Sequence, residues 1–214
     1  EGSPISSYYG YVVSGQEIAP EYLKNPFYPI GGQSQDIYVK DLNGDGVIDT
    51  DDRTVLGSPY PDFIYSWNNT VSFLGFDVTL MFQGSQGAEV RNISSQYIRN
   101  EFSSNQDYIA GFEDADLVVQ RIFTSDDIQD ADYFALRNLN IGYTFKKASL
   151  NKIGLGGLRV YVGGQNLIYK MADNYEGYNP EGIDQGLGNP LTYGYQRGPA
   201  PIFRTLSVGV NVKL

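Results

Sequence analysis

The sequence contains neither cysteine nor histidine, and these two absences remove most catalytic devices at once. They exclude a Ser-His-Asp triad, a cysteine nucleophile, a zinc site of the usual kind and a histidine-ligated haem. No disulfide can form, so stability must come from packing, strand pairing or a bound metal. The acidic pairs Asp114/Asp116 and Asp126/Asp127 could in principle act as glycosidase acids. Acidic residues in loops are usually only solvated, so we expect that this protein is not an enzyme.

The chain also lacks a positive charge excess and any long apolar run. Its formal net charge is −10, whereas nucleic-acid-binding domains usually carry a basic face, so we expect no nucleic-acid partner. Its apolar runs are only a few residues long, too short for a transmembrane helix. No signal peptide begins at Glu1, and we expect the sequence to be a segment of a longer protein.

Aromatic residues and glycine are abundant, and the sequence alternates between apolar and polar residues. The chain has 25 Gly, 18 Tyr and 11 Phe, an excess that favours β-strands with aromatic interfaces. Alternation gives one apolar face to segments within 63–73, 76–83, 135–145, 158–163 and 204–214. Arg137 is the exception, because it falls among the apolar positions of its segment. The apolar positions expected to face lipid include Trp67, Val71, Leu139, Ile141, Val208 and Val210.

Strand and link lengths favour a membrane barrel. Soluble strands typically have about 5 or 6 residues, whereas these segments have about 10 to 14, as transmembrane strands do. The links at 74–75 and 147–157 are short, while those at 87–130 and 171–201 are long, which matches short periplasmic turns and long outer loops. Five strands cannot close a barrel, so the remainder must come from elsewhere. The alternative is a half-solvated antiparallel sheet in an extracellular domain.

Residues 41–52, DLNGDGVIDTDD, have the spacing of a calcium loop. Oxygen-bearing side chains occupy positions 1, 3, 5, 9 and 12, position 7 offers a backbone carbonyl, and Gly46 at position 6 permits a sharp turn. Asp52 replaces the usual glutamate at position 12, so the loop must close more tightly. Ca²⁺ fits this oxygen-rich set better than Mg²⁺; the alternative is a metal-free turn. The predicted ligands are Asp41, Asn43, Asp45, Val47, Asp49 and Asp52.

Six segments occur in a characteristic order along most of the chain, and the calcium-type loop, the FQGSQG strand end and the GQNL strand occur together. The segments are PISSYYGYVVSG, IYVKDLNGDGVIDTDDRTVLGSPYPDFIYSWN, LGFDVTLMFQGSQGAEVRN, DADYFALRNLNIGYTF, LRVYVGGQNLI and PIFRTLSVGVNVKL. Together they resemble the C-terminal part of SusC/RagA-type TonB-dependent transporters.

The resemblance implies a fold and a function beyond what the residue pattern predicts. It implies that residues 1–214 are the C-terminal antiparallel strands of an all-β, outer-membrane barrel of about 22 strands. The plug domain and the TonB-contacting segment are absent from this chain. The whole protein would import glycans or oligopeptides with a SusD-like surface lipoprotein as lid, energised through TonB. The alternative function is an extracellular binding or adhesion module stapled by calcium.

The outer loops contain aromatic residues that are candidates for contact with a substrate. Tyr175, Tyr178, Tyr193 and Tyr195 lie in the predicted 171–201 loop and could stack on sugar rings. They could equally form an interfacial girdle or pack against a partner lipoprotein. The sequence does not choose among these roles or name the nutrient.

Overall fold

The computed structural model describes residues 2–18, 38–92, 123–146, 150, 154–182, 184–185, 193–196 and 198–213, and strands dominate it. The chain divides into two compact units. In chain order the strands are β1 (Tyr8–Gly10), β2 (Val13–Ile18), β3 (Tyr38–Val39), β4 (Thr54–Gly57), β5 (Phe63–Phe73), β6 (Phe76–Gln86), β7 (Glu89–Asn92), β8 (Ile128–Asp130), β9 (Tyr133–Thr144), β10 (Gly157–Met171), β11 (Asp184–Gln185), β12 (Tyr193–Gln196) and β13 (Thr205–Lys213).

One unit is a five-stranded sheet built from residues 62–86, 132–173 and 201–214, here called the long-strand sheet. Its order is β13-β10-β9-β6-β5, and every neighbouring pair is antiparallel. The five predicted strands are therefore confirmed, with lengths of 11, 11, 12, 15 and 9 residues in chain order. Leu214, the last residue of the predicted C-terminal strand, lies outside the described residues.

The predicted tight link between the first two long strands is a two-residue hairpin turn. Leu74 and Gly75 have φ angles of 50° and 93°, as a type I′ turn requires, and the strands pair from Phe73↔Phe76 outward. A Cβ on Gly75 would also press against the carbonyl of Thr144. The antiparallel order puts this turn and the β9–β10 link at one end of the sheet. The two long connections, β6–β9 and β10–β13, leave from the other end, where the chain also enters β5.

The strand register confirms that the apolar positions of neighbouring strands share one face. Val78 lies opposite Val71 and Ile141, and Ile141 also lies opposite Val162, which pairs with Val208. Paired residues in a sheet point to the same side. The alternation in the sequence therefore becomes a continuous apolar face across all five strands.

The pairing of β9 with both of its neighbours is irregular at Arg137, and this β-bulge makes one part of the predicted alternation wrong. Met81 pairs with Asn138, but Phe82 pairs with Leu136, so Arg137 is an extra residue. Its guanidinium donates to Gln83 at 2.9 Å and to Asn166 at 3.2 Å on the polar face. The bulge reverses the alternation beyond it, so Ala135, predicted on the apolar face, lies opposite Gln83 on the polar face and is fully buried.

The second unit, here called the insertion unit, consists of residues 1–61, 87–131 and 174–200. It contains a four-stranded sheet of order β11-β12-β7-β8 and the two-stranded pairs β1-β4 and β2-β3. The links at 87–130 and 171–201 therefore contain short strands, which the sequence analysis did not predict.

No helix in the described part of the chain is long and apolar enough to cross a membrane.

Candidate functional site

The apolar face of the long-strand sheet is the largest exposed feature of that unit. Its side chains project from both edge strands and from the strands between them, and many are more than half exposed. Large exposed apolar surfaces on a soluble monomer are rare, so such a face indicates contact with lipid or protein. Its exposed members include Trp67 at 55%, Val71 at 59%, Phe73 at 70%, Leu206 at 72% and Val208 at 77%.

Aromatic rings are concentrated near the two ends of this face. Near the long connections, Phe82 stacks between Trp67 and Phe134, with ring centroids 5.7 and 5.6 Å apart. Near the short links, Tyr143 contacts Phe76 at 4.6 Å and Phe145 at 4.9 Å. Aliphatic residues such as Leu80, Leu139 and Val160 lie between these groups. Two aromatic girdles around an aliphatic band are typical of a strand sheet that crosses a bilayer.

The length of the strands matches the thickness of such a band. The 11 residues of β5 span about 34 Å at the usual rise per residue. A tilt of about 40° reduces this span to about 26 Å along the membrane normal, close to the roughly 25 Å apolar band of outer-membrane barrels. The sheet is therefore long enough to cross the apolar layer without additional residues.

The opposite face carries polar side chains that lie across neighbouring strands. Arg159 reaches over Gly142 and makes two hydrogen bonds with Asp77, the longer at 3.1 Å, and a third with Asn140 at 3.2 Å. A Cβ on Gly142 would occupy the space of the guanidinium, so the glycine permits this ion pair. The face is thus polar and internally hydrogen-bonded, as expected for the wall of a water-filled lumen.

The acidic loop has the internal hydrogen bonds expected of a tightly wound ligand loop. Asp41 accepts the backbone N–H groups of Gly44 at 2.6 Å and Gly46 at 2.8 Å, and Asn43 and Asp45 each accept the N–H two residues on. Gly46 has a φ angle of 79°, the left-handed conformation predicted for position 6. Ile48 is buried and the side chain of Val47 is exposed. Because a valine side chain has no oxygen, Val47 can offer a metal only its backbone carbonyl.

Asp52 closes this loop from its far end. Its side chain is fully buried and accepts the N–H groups of Leu42 at 2.9 Å and Asp49 at 2.8 Å. Burial raises the pKa of this carboxyl, but the hydrogen bonds from the backbone outweigh burial and hold the pKa below its usual range. The stabilisation is therefore present at neutral pH and is lost as the pH falls through this lowered pKa.

The fit of the loop to Ca²⁺ rests on donor type and spacing. Within the described residues, no three Asp, Glu, His or Cys side chains converge as a ready-made metal cluster. The predicted ligand set, however, also uses the amide oxygen of Asn43 and the carbonyl of Val47. A carboxylate oxygen that accepts one N–H keeps another lone pair, so the hydrogen bonds above leave this donor set chemically suited to a hard cation.

The loop tyrosines have different environments and do not form one contact surface. Tyr175 is buried, and its hydroxyl donates to Gln196 at 2.6 Å; burial raises its pKa to about 12. Tyr178 is 66% exposed and is open to a ligand. The Tyr195 ring lies beside the guanidinium of Arg91, at 5.2 Å. The side chain of Tyr193 lies outside the described residues.

Gln196, which no sequence pattern singles out, organises the end of this loop. It is fully buried, and its amide donates to the carbonyls of Asn179 at 3.1 Å and Pro180 at 3.2 Å. A glutamine in a Gly/Pro-rich stretch gives no local signal of burial. Of the acidic pairs, Asp127 caps the 3-10 turn Ser125–Asp127 by accepting the N–H of Thr124, whereas Asp114 and Asp116 lie outside the described residues.

Comparison with known proteins gives sequence relatives along the whole chain. No protein-family model matches it. TonB-dependent receptor P3 of Formosa agariphila is 31% identical over an alignment of 228 residues, which covers 100% of this chain and 22% of the relative. TonB-dependent receptor P26 of the same organism is 31% identical over 219 residues, covering 93% of this chain and 21% of the relative. The chain thus spans about a fifth of the relatives it matches.

Solved structures share its fold. The RagAB peptide importer in its open-open state superposes with a TM-score of 0.64 at 16% identity, covering 97% of this chain and 22% of that chain. The RagAB peptide transporter gives a TM-score of 0.61, also at 16% identity. At this identity the likeness concerns the fold alone. Sequence relatives and fold together confirm the prediction that this chain is a segment of the β-barrel of a TonB-dependent receptor, with the fold of the RagAB structures.

Proposed function

We propose that this chain forms one arc of the wall of an outer-membrane transporter. The observation that carries the proposal is the continuous, exposed apolar face of the long-strand sheet, with aromatic residues toward both ends. An open sheet edge is not tolerated in lipid, so β5 and β13 would pair with further strands of the whole protein. The hydrogen-bonded polar face would line the lumen.

The whole protein would import a nutrient and couple import to TonB. We infer glycans or oligopeptides as the substrate class, because the relatives are TonB-dependent receptors and a structural neighbour is a peptide importer. The plug and the TonB-contacting segment would come from other parts of the protein. The loops at 87–130 and 171–201 would lie on the extracellular side and contact a SusD-like lipoprotein lid or the substrate.

Spin labels along β13 in the full-length receptor would test the membrane-spanning arrangement. We expect labels at 206, 208, 210 and 212 to be accessible to a lipid-soluble relaxation agent, because these positions carry exposed apolar side chains. Labels at 205, 207 and 211 should instead respond to a water-soluble agent. An accessibility profile without a period of two would contradict the proposal.

The acidic loop would hold Ca²⁺ as a structural ion through Asp41, Asn43, Asp45, Asp49, Asp52 and the carbonyl of Val47. The ion would offset repulsion among the four carboxylates of the predicted ligand set and hold the chain that leads into β4 and β5. Its role would be to stabilise the loop, with no part in a chemical reaction.

Calorimetric Ca²⁺ titration of the intact receptor would test this site. Asp45→Ala removes one predicted ligand and is expected to abolish or strongly weaken binding. Asp51→Ala is the matched control, because it removes the same charge at a position outside the predicted ligand set and should leave the titration nearly unchanged. If both variants titrate like the unsubstituted receptor, the loop is a metal-free turn.

A further inference from the structure

Two basic residues interrupt the apolar face at its outer end, where the long connections leave. Lys170 pairs with Phe134, whose ring stacks on Phe82, so the lysine lies on the apolar face. Arg204 precedes β13 and continues the positions of Leu206 and Val208, which are 72% and 77% exposed. Both basic residues are exposed, and neither forms an ion pair within the described part of the chain.

Their position differs from that of the other cations of the sheet. Arg137 and Arg159 are hydrogen-bonded on the polar face. Lys213, at the opposite end of β13, pairs with Gly157 at a polar-face position. Lys170 and Arg204 are thus the cations placed on the apolar face of the described sheet, and both lie at the same end.

The order of residues along the face indicates the depth of these cations. Toward the outer end of β10, exposed Ile168 belongs to the apolar band, and Lys170 is the next residue on the same face. Asp132 is the next residue outward from Phe134 on this face of β9 and the first carboxylate there; its carbonyl accepts the N–H of Ala172. The basic residues therefore lie between the apolar layer and the first acidic side chain, at the level of lipid head groups. Long basic side chains readily extend their charges to that level.

The two side chains can reach one ligand. β10 and β13 are neighbouring strands with a continuous register up to Gln165↔Thr205. Arg204 directly precedes Thr205, and Lys170 follows Gln165, the partner of Thr205, by five residues. The two long side chains therefore extend from neighbouring strands at the same end of the sheet, where they can approach a single group. An arginine and a lysine together suit a phosphate, which accepts charge-assisted hydrogen bonds from both.

We propose that Lys170 and Arg204 form a site for the phosphate of an anionic lipid in the outer leaflet, with the lipid's acyl chains against Ile168, Leu206 and Val208. This inference rests on the proposed function, because it requires the apolar face to meet lipid. It adds a specific lipid contact to a chain whose net charge of −10 would otherwise repel an anionic surface.

The experiment uses the full-length receptor reconstituted in phosphatidylcholine nanodiscs, with labelled lipid A as the probe and dephosphorylated lipid A and inorganic phosphate as comparisons. Each basic side chain near an anionic lipid surface raises the affinity for that lipid by about fivefold. Lys170→Ala and Arg204→Ala should each weaken lipid A binding by about fivefold, and the double variant by about thirtyfold. Lys213→Ala, which removes a cation at the other end, is the matched control.

The results separate failure of this site from failure of the proposed function. Loss of binding in the double variant, with normal insertion and with weak binding of dephosphorylated lipid A, supports the site. Equal binding by the double variant and the control overturns it while leaving the barrel intact. Inhibition by inorganic phosphate that equals competition by lipid A identifies a free-anion site and also overturns it. A receptor that does not insert into nanodiscs at all contradicts the proposed function instead.

Discussion

Replacing Leu139 with arginine is expected to lower the free energy of unfolding of the full-length barrel in lipid by about 2–4 kcal/mol. Leu139 lies in the middle of β9, opposite Leu80 and Gly164 on the apolar face. A guanidinium there must enter the apolar layer without a partner, and the neighbouring glycine offers no polar atom beyond a backbone already paired in the ladder. Urea unfolding in lipid vesicles would measure the change.

The adjacent residue provides a control for this prediction. Asn138→Arg introduces the same side chain one position away, on the polar face opposite Met81 and Gln165. There the charge can remain in water, so the loss should be well below that of Leu139→Arg. Gly209, also on the polar face, is a poor control, because any side chain there would collide with the ring of Tyr161. If both variants lose the same free energy of unfolding, the two faces of the sheet are in contact with the same solvent, and the prediction is contradicted.

Deleting residues 174–196 from the full-length receptor is expected to abolish or severely reduce uptake or lid association, while the barrel still assembles. The deletion removes β11 and β12, and β12 connects β11 to β7 in the sheet of the insertion unit. It also removes Gly194, whose carbonyl accepts the Tyr8 hydroxyl at 2.7 Å. The pairing of β10 with β13 uses residues 157–165 and 205–213 and is left intact.

Three measurements on the same cells would test this deletion. Heat-modifiable migration reports barrel assembly, radiolabelled substrate reports uptake, and co-purification reports the lipoprotein. Tyr178→Ala is a narrower variant, since it removes one exposed ring and none of the hydrogen bonds around Gln196; it separates loss of a contact from loss of the fold. Normal uptake and normal co-purification in the deletion would show that these residues have a passive role on the surface.

The alternation in the sequence predicted the long-strand sheet because each of its strands obeys one local rule. Phe63–Phe73 was recovered to the residue, and the hairpin at Leu74–Gly75 followed from the shortness of the link. The same rule failed at Ala135, where a bulge reverses the faces. Arg137 signalled this place, since a cation among apolar positions is best accommodated by moving it to the polar side, but alternation alone could not show where its neighbours would go.

The insertion unit could not be predicted because its pairings are short and join distant residues. β7 pairs in parallel with β12, bringing Arg91 next to Tyr195, and neither strand is long enough to show a period. The burial of Tyr175 by Gln196 depends on the same distant pairing. The calcium loop was accessible from sequence for the opposite reason, since all its predicted ligands lie within twelve positions; its turn is as predicted at Gly46, and its metal remains a prediction.

The three-part origin of the insertion unit has a consequence for biogenesis. Its stretches, 1–61, 87–131 and 174–200, are delivered in sequence but separated by strands of the other unit. The Arg91–Tyr195 contact alone spans 104 positions, so the sheet must remain unfinished until nearly the whole segment is available for pairing. Distant pairings of this kind form slowly and leave strand edges exposed while they wait. Completion of this unit should therefore follow, and never precede, delivery of the last stretch.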